Sequence, residues 1–139
     1  MKKGLVFLIL INGMVALSQS GVYGRGTRSS DSTIVQWTLK LNPDGTFLYH
    51  FLRDLSGKAN KEENYYGKGI WQSEGKIVSF YSEASDFDTI HTVNLNNSKA
   101  RYIEKSPRDT SDKIVKTAIH FYQSETSYIK GLKLLKNKI

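Results

Sequence analysis

Between Trp37 and Phe51 the chain reads Trp-Thr-Leu-Lys-Leu-Asn-Pro-Asp-Gly-Thr-Phe-Leu-Tyr-His-Phe. Val35, Trp37, Leu39 and Leu41 alternate with Gln36, Thr38 and Lys40, the period of a strand that buries one face. Asn42-Pro43-Asp44-Gly45 then turns the chain. Pro43 fixes φ at a central turn position, and Gly45 accepts the positive φ that closes such a loop. On the return, Phe47, Tyr49 and Phe51 share a face. Two alternating runs around one tight turn make a β-hairpin, and a chain that repeats the device is confined to sheets.

The device recurs. Tyr65 to Gln72 and Ile77 to Tyr81 flank Ser73-Glu74-Gly75-Lys76, which predicts a second hairpin. Thr89 to Leu95 and Arg101 to Glu104 flank Asn96-Asn97-Ser98-Lys99, which predicts a third. Lys113 to Tyr122 alternates Val115, Thr117, Ile119 and Phe121 against Lys116, Ala118 and His120, a further long strand. The tail from Tyr128 to Ile139 fits either a helical stripe or a strand. Gly131 weakens the helix by about 1 kcal/mol relative to Ala, so a short final strand is favoured. No segment of helical period interrupts the body of the chain. The expected fold is all-β: an antiparallel meander of about eight strands, closing into a small barrel or a curled sandwich, with the last strand against the first.

The first residues carry a different pattern. Lys2 and Lys3 precede an apolar run from Gly4 to Leu17, and Ala16-Leu17-Ser18 is a small-x-small site. Residues 1–18 therefore read as a signal peptide cleaved near Ser18, giving a secreted or periplasmic protein. The run is shorter than the ~18–20 residues that span a bilayer. Residues 19–32, rich in Gly, Ser and charge, read as a flexible segment with a short first strand at Val22-Tyr23 and a loop from Arg25 to Ser32. Residues 33–139 form a single β domain. The chain has no cysteine, so neither a lipid at the cleavage point nor a disulfide can form.

Formal net charge is +7, and removing Lys2 and Lys3 leaves +5. Lys113, Lys116, Lys130, Lys133, Lys136 and Lys138 are answered in that stretch only by Glu125. Lys130, Lys133, Lys136 and Lys138 thus define a candidate edge for an anionic envelope component. The plainer reading is a solvated edge that discourages strand pairing. Secretion argues against nucleic acid as partner.

The pattern Trp37-x-Leu39-x-Leu41-Asn42-x-Asp44-Gly45-Thr46-Phe47, followed by Gly67-x-Gly69-x-Trp71 and Gly75-Lys76-Ile77, resembles the lipocalin-like small secreted proteins of bacteria. The likeness covers about Thr33 to Ser82, and the remainder by strand spacing alone. It implies a lipocalin-like barrel with a ligand cavity and carries over no catalytic residue.

Chemistry is sparse. His50, His91 and His120 lie on different strands with no metal-ligand spacing, so no metal and no cofactor is expected. No serine stands beside a histidine in a nucleophile turn, and Glu62-Glu63 and Asp86-Asp88 read as solvated loop charge, so the chain is not expected to be an enzyme. The aromatic set is the better lead. Trp37, Phe47, Tyr49, Phe51, Tyr65 and Trp71 come from adjacent strands and share one face. Trp37, Phe47, Tyr49 and Trp71 are the candidate contacts for a small apolar or amphipathic ligand; a packed core is the plainer reading. Tyr66, Tyr81 and Tyr102 are expected to point outward. The two functional classes are therefore a lipocalin-like binding module and an envelope-associated interaction module using the basic C-terminal edge.

Overall fold

The computed structural model describes residues 19–28, 33–55, 62–126 and 128–137. The leader read over residues 1–18, its cleavage point, the loop positions 29–32 and Lys138 lie outside them. Eight strands follow in chain order: β1 (Gly21–Arg28), β2 (Ile34–Leu41), β3 (Thr46–Asp54), β4 (Glu62–Glu74), β5 (Ile77–Tyr81), β6 (Lys99–Ile103), β7 (Ala118–Gln123) and β8 (Lys133–Lys136). Each pairs antiparallel with the next. β8 returns to β1 through Tyr23↔Lys136 and Gly24↔Leu135, so the meander is a closed barrel and not an open sandwich. The tail is a strand, as expected.

Register puts the inward residues of β1 to β4 in rows. One row is Gly21–Leu41–Phe47–Gly69 and the next is Tyr23–Leu39–Tyr49–Gly67. Each ends on a glycine of β4, where the neighbouring chain comes too close for a side chain. A Cβ on Gly69 would stand 2.1 Å from the Tyr81 carbonyl oxygen, and one on Gly67 would stand 2.8 Å from that of Val93. Glycine in a strand interior commonly marks such an approach. Tyr23, Leu39, Tyr49, Phe80, Ile119, Phe121 and Leu134 are buried completely. Phe47 meets Phe80 edge-on at 5.3 Å, and Phe80 meets Phe121 at 5.2 Å. Side chains fill the middle of the barrel.

The two ends differ. The turn end holds the Asn42–Gly45 and Gly75–Lys76 turns and the long β6–β7 loop. The loop end holds the β1–β2, β3–β4, β5–β6 and β7–β8 connections. At the turn end Gly45 adopts φ 92°. Asp44 Oδ1 accepts the Thr46 amide at 2.9 Å, and the bonds from Thr46 hold the Asp44 carboxyl below its ordinary range.

Several expectations are corrected. Residues 21–28 are not a flexible segment with a two-residue strand; β1 runs for eight residues and pairs along its length with β2. Glycines at 21, 24 and 26 hide its alternation. β4 begins at Glu62, ahead of the expected Tyr65. The third hairpin does not form. Thr89 to Leu95 is loop, joined to β4 by a parallel bridge between Tyr66 and His91. Side-chain acceptors take the backbone donors a ladder would need: Asp88 Oδ1 accepts the amides of Ile90 at 2.8 Å and His91 at 2.6 Å, and Asn94 Oδ1 accepts that of Asn96 at 2.8 Å. β6 pairs instead with β5 and β7. Val93 and Leu95 are nevertheless buried. The strand expected over Lys113 to Tyr122 starts only at Ala118, because β6 ends opposite it at Ile103. Tyr102 is buried and inward, not outward.

Candidate ligand-binding cup at the loop end

β4 is 13 residues long, and β5 pairs only with its Ile70–Glu74 part. β8 meets β1 only at Tyr23 and Gly24. At the loop end the first four strands therefore project past the other four, and their inner faces are a candidate ligand surface, referred to below as the cup.

The row above Tyr23–Leu39–Tyr49–Gly67 is Arg25–Trp37–Phe51–Tyr65, one residue from each projecting strand. Directly opposed side chains on one face touch, and these do. Trp37 and Phe51 have ring centroids 5.2 Å apart at 49°, and Phe51 and Tyr65 are 6.0 Å apart at 33°. The Arg25 guanidinium carbon lies 5.9 Å from the Trp37 ring centroid, within cation–π reach. In the next row Arg53 is bonded to Glu63, with Nε donating to Oε2 at 2.9 Å, so those charges cancel. Arg25 is exposed and has no acidic partner among the described residues. The row is an aromatic ladder ending in one unanswered cation.

The floor carries buried polar atoms. Trp37 Nε1 and Tyr49 Oη are both shielded from solvent with no hydrogen-bond partner. Native structures rarely leave such groups unpaired. Burial pushes the Tyr49 phenol above its ordinary value, and the neighbouring Tyr128 adds to the rise. Tyr128, 54% exposed on the β7–β8 connection, is itself raised by burial and by Tyr65. Its phenol is thus within electrostatic range of both Tyr49 and Tyr65. Ile129 and Leu132, just after it, plug the barrel beneath.

The four ligand-contact candidates divide between the ends. Trp37 and Tyr49 belong to the cup. Phe47 packs edge-on to Phe80, and Trp71 donates Nε1 to the Asn42 carbonyl at 3.0 Å, securing the turn end. Phe51 and Tyr65 complete the ladder that the shared-face pattern anticipated. Arg25 and Tyr128 escaped sequence reasoning. Strict alternation from Tyr23 would have found Arg25; nothing local marks Tyr128.

Of the four lysines of the basic edge, the three among the described residues are not gathered. Lys130 is exposed on the β7–β8 connection and Lys133 on the outside of β8. Lys136 turns to the inner face, with Nζ 5.9 Å from the Tyr23 ring.

Two histidines do approach one ring, that of Tyr66, on the outside of the barrel. His50 stacks on Tyr66 at 4.4 Å and 5°, and His91 approaches the same ring at 6.1 Å and 61°. His50 Nε2 bonds Asn64 Oδ1 at 2.7 Å, and His91 Nδ1 bonds the Asp88 carboxylate at 3.0 Å. Backbone amides of His91 and Ile90 hold the Asp88 carboxyl down to about 2. Neither ring nitrogen so bonded reaches a hydroxyl nucleophile, and among the described residues no group of three or more His, Asp or Glu could hold a metal ion. The cluster fastens the Asp88–Val93 segment to β4, where Thr92 and Val93 both donate to the Tyr66 carbonyl at 2.9 Å.

No protein-family model, no curated protein sequence and no solved structure matches the chain.

Proposed function

We propose that the protein is a lipocalin-like binding module that holds a small amphipathic ligand across the loop-end cup. The observation that carries this is the Arg25–Trp37–Phe51–Tyr65 row above two buried, unpartnered donors, Trp37 Nε1 and Tyr49 Oη. A mostly apolar surface with a few convergent polar groups is what small-molecule sites offer. The tail of the ligand lies on the three rings and its anionic head meets Arg25. Because the middle of the barrel is filled, the ligand sits across the mouth and not in a deep calyx.

The chain has two tryptophans, one at each end of the barrel, so fluorescence can report position. Titration with fatty acids and anionic hydrophobic dyes should shift Trp emission. Trp37→Phe should abolish the shift and Trp71→Phe should leave it. Arg25→Gln should weaken an anionic ligand about tenfold and a neutral analogue little, the loss of one charge-assisted contact. No shift with any ligand, or a shift surviving in Trp37→Phe, rejects the proposal.

A further inference from the structure

Full closure removes the edges of a sheet, but this barrel closes over only part of its height. β8 meets β1 at Tyr23 and Gly24 and no further, and β5 meets β4 only from Ile70 onward. At the loop end β1–β2–β3–β4 is therefore a sheet with two open sides, residues 25–28 of β1 and residues 62–65 of β4. Backbone groups alternate in direction along an antiparallel strand, so the existing bonds show which groups line these sides. The Val22 carbonyl accepts the Asn137 amide, which turns the even-numbered residues of β1 away from β2. The Tyr66 carbonyl accepts the amides of Thr92 and Val93, which turns the even-numbered residues of β4 away from β3. Gly26 and Arg28 on one side, and Glu62 and Asn64 on the other, thus present N–H and C=O groups with no strand opposite among the described residues.

The two sides carry opposite charge. Residues 25–28 read Arg-Gly-Thr-Arg, and residues 62–65 read Glu-Glu-Asn-Tyr. Neighbouring groups keep the contrast. Next to β1, the exposed Lys130 and Lys133 stand on β8 and the connection before it. Beside β4, Glu63 is bonded to Arg53, and Asp88 faces Lys68 at 3.8 Å and the His91 ring at 3.0 Å. Glu62 is left to the open side, with Asp54 as its cross-strand neighbour and Asn64 Nδ2 donating to its Oε1 at 3.0 Å. Neither stretch holds a proline or a bulge, the usual blocks on edge pairing. Pairing β1 with β1 sets arginines together, and pairing β4 with β4 sets glutamates together, both unfavourable. We propose that the protein associates with further copies of itself, residues 25–28 of one pairing antiparallel with residues 62–65 of the next. The outward backbone groups fix the register: Gly26 stands opposite the next copy's Asn64, and Arg28 opposite its Glu62. In the inner row Arg25 then follows the next copy's Tyr65. The contact is heterologous, so each copy keeps one open side of each kind and assembly proceeds past the dimer or closes as a ring. Four residues a side make a small interface, so the association is weak.

The test needs no ligand and is independent of occupancy of the cup. In sedimentation velocity the mean mass of the protein should rise from low to high micromolar concentration and fall again in high salt. Gly26→Pro removes an outward N–H from β1, and the added Cβ meets only the Val35 carbonyl oxygen at 3.9 Å. Glu62→Pro removes an outward N–H at the first residue of β4, a place that tolerates proline. Each should leave the circular dichroism unchanged and weaken association at least about tenfold, because the lost donor and the ring both oppose pairing. Each variant also keeps the other side intact. An equal mixture of the two should therefore form a one-to-one dimer and nothing larger. Glu62→Gln keeps the backbone and removes only the charge, so it should weaken association severalfold at low salt and not at high salt; it decides the matter if a proline variant does not fold. A protein that stays monomeric throughout overturns the proposal. So does association that none of these substitutions weakens, or a mixture of the two folded proline variants that fails to dimerise.

Discussion

At the turn end of the barrel, the buried Trp71 donates its indole N–H to Asn42; at the loop end, Trp37 holds an equally shielded N–H with no acceptor. Two buried phenols differ in the same way within a single row. Tyr23 donates to the Gln19 carbonyl, and Tyr49, one strand beyond Leu39, has no partner. Alternation and register are common to both ends, so neither explains the difference. The turn end satisfies its aromatic donors with its own tight turn and entering chain. The loop end spreads its strands, leaves donors unmatched and surrounds them with aromatic rings and a cation. The ends thus differ in which buried groups go unmatched, and only at the loop end are those groups aromatic donors. The turn end is not perfect in this respect, since Gln19 Oε1 and Ser73 Oγ also lack partners.

The largest effect should come from β4, where both glycines meet neighbouring backbone. Gly69→Ala puts a methyl 2.1 Å from the Tyr81 carbonyl oxygen and 2.9 Å from the Phe47 ring. Neither neighbour can retreat without parting β4 from β5 or moving the packed Phe47–Phe80 pair, so the loss should be about 3 kcal/mol or more. Gly67→Ala meets Val93 at 2.8 Å, on a segment held to β4 through Tyr66 and not by a full ladder. That segment can shift, and the loss should be about 1 kcal/mol. Urea denaturation compares them; an equal loss would erase the contrast between a fixed and a yielding half of the barrel.

How much of this was legible in the chain follows the same division. The hairpin Trp37–Phe51 could be read at once, because Pro43 and Gly45 fix the turn and β-branched or aromatic residues recur at period two. From it followed the inward ladder of Trp37, Phe51 and Tyr65, the glycines of the next strand and a meander of about eight strands, whose closing as a barrel and not a curled sandwich came only from the β8–β1 pairing. Thr89 to Leu95 was misread because its alternation is genuine: Val93 and Leu95 are buried, but as a plug beneath the loop end. Whether such a segment pairs was decided by Asp88, whose carboxylate takes the amides of Ile90 and His91, while Asn94 takes that of Asn96 just beyond it. β1 was hidden by its glycines, and with it Arg25. Tyr128 comes within electrostatic range of Tyr65 from a connection about 60 residues away in sequence, a closeness only the closed fold creates.

A smaller effect should separate the two phenols. Tyr23→Phe removes a satisfied donor and strands the Gln19 carbonyl, a loss of about 1 kcal/mol. Tyr49→Phe removes a donor that had no partner, so stability should stay level or rise by up to about 1 kcal/mol. Alkaline unfolding tests the same pair by another route. Burial raises both phenols above their ordinary value of 10, so above pH 10 the unfolded chain gives up protons that the native state keeps. Their contribution is whole below that pH and is lost as pH rises beyond it. The double variant should therefore lose less stability than the wild type between neutral pH and pH 11. A parallel decline in both would mean that other groups govern alkaline unfolding.

The smallest effect concerns the segment that closes the loop end beside the cup. Asp88 is exposed, yet its carboxylate collects the amides of Ile90 and His91 and the His91 ring. Those bonds favour the ionised form, which the backbone amides chiefly hold down to about 2 from 3.8. The support they lend is complete above pH 3.8, the unfolded value, and fades as pH falls through the folded one. Asp88→Asn keeps an acceptor oxygen for the amides and gives up the charge and one acceptor position. The global midpoint should hardly move, because the barrel strands do not depend on this loop for their pairing. Amide exchange at Ile90, His91, Thr92 and Val93 should quicken severalfold, and that at Leu39 and Phe80 should not. Such a result would mark the segment as an independently opening unit on the cup's flank. If exchange instead rose equally across the barrel, the loop end would share the cooperativity of the turn end, and the difference between them would reduce to unmatched donors alone.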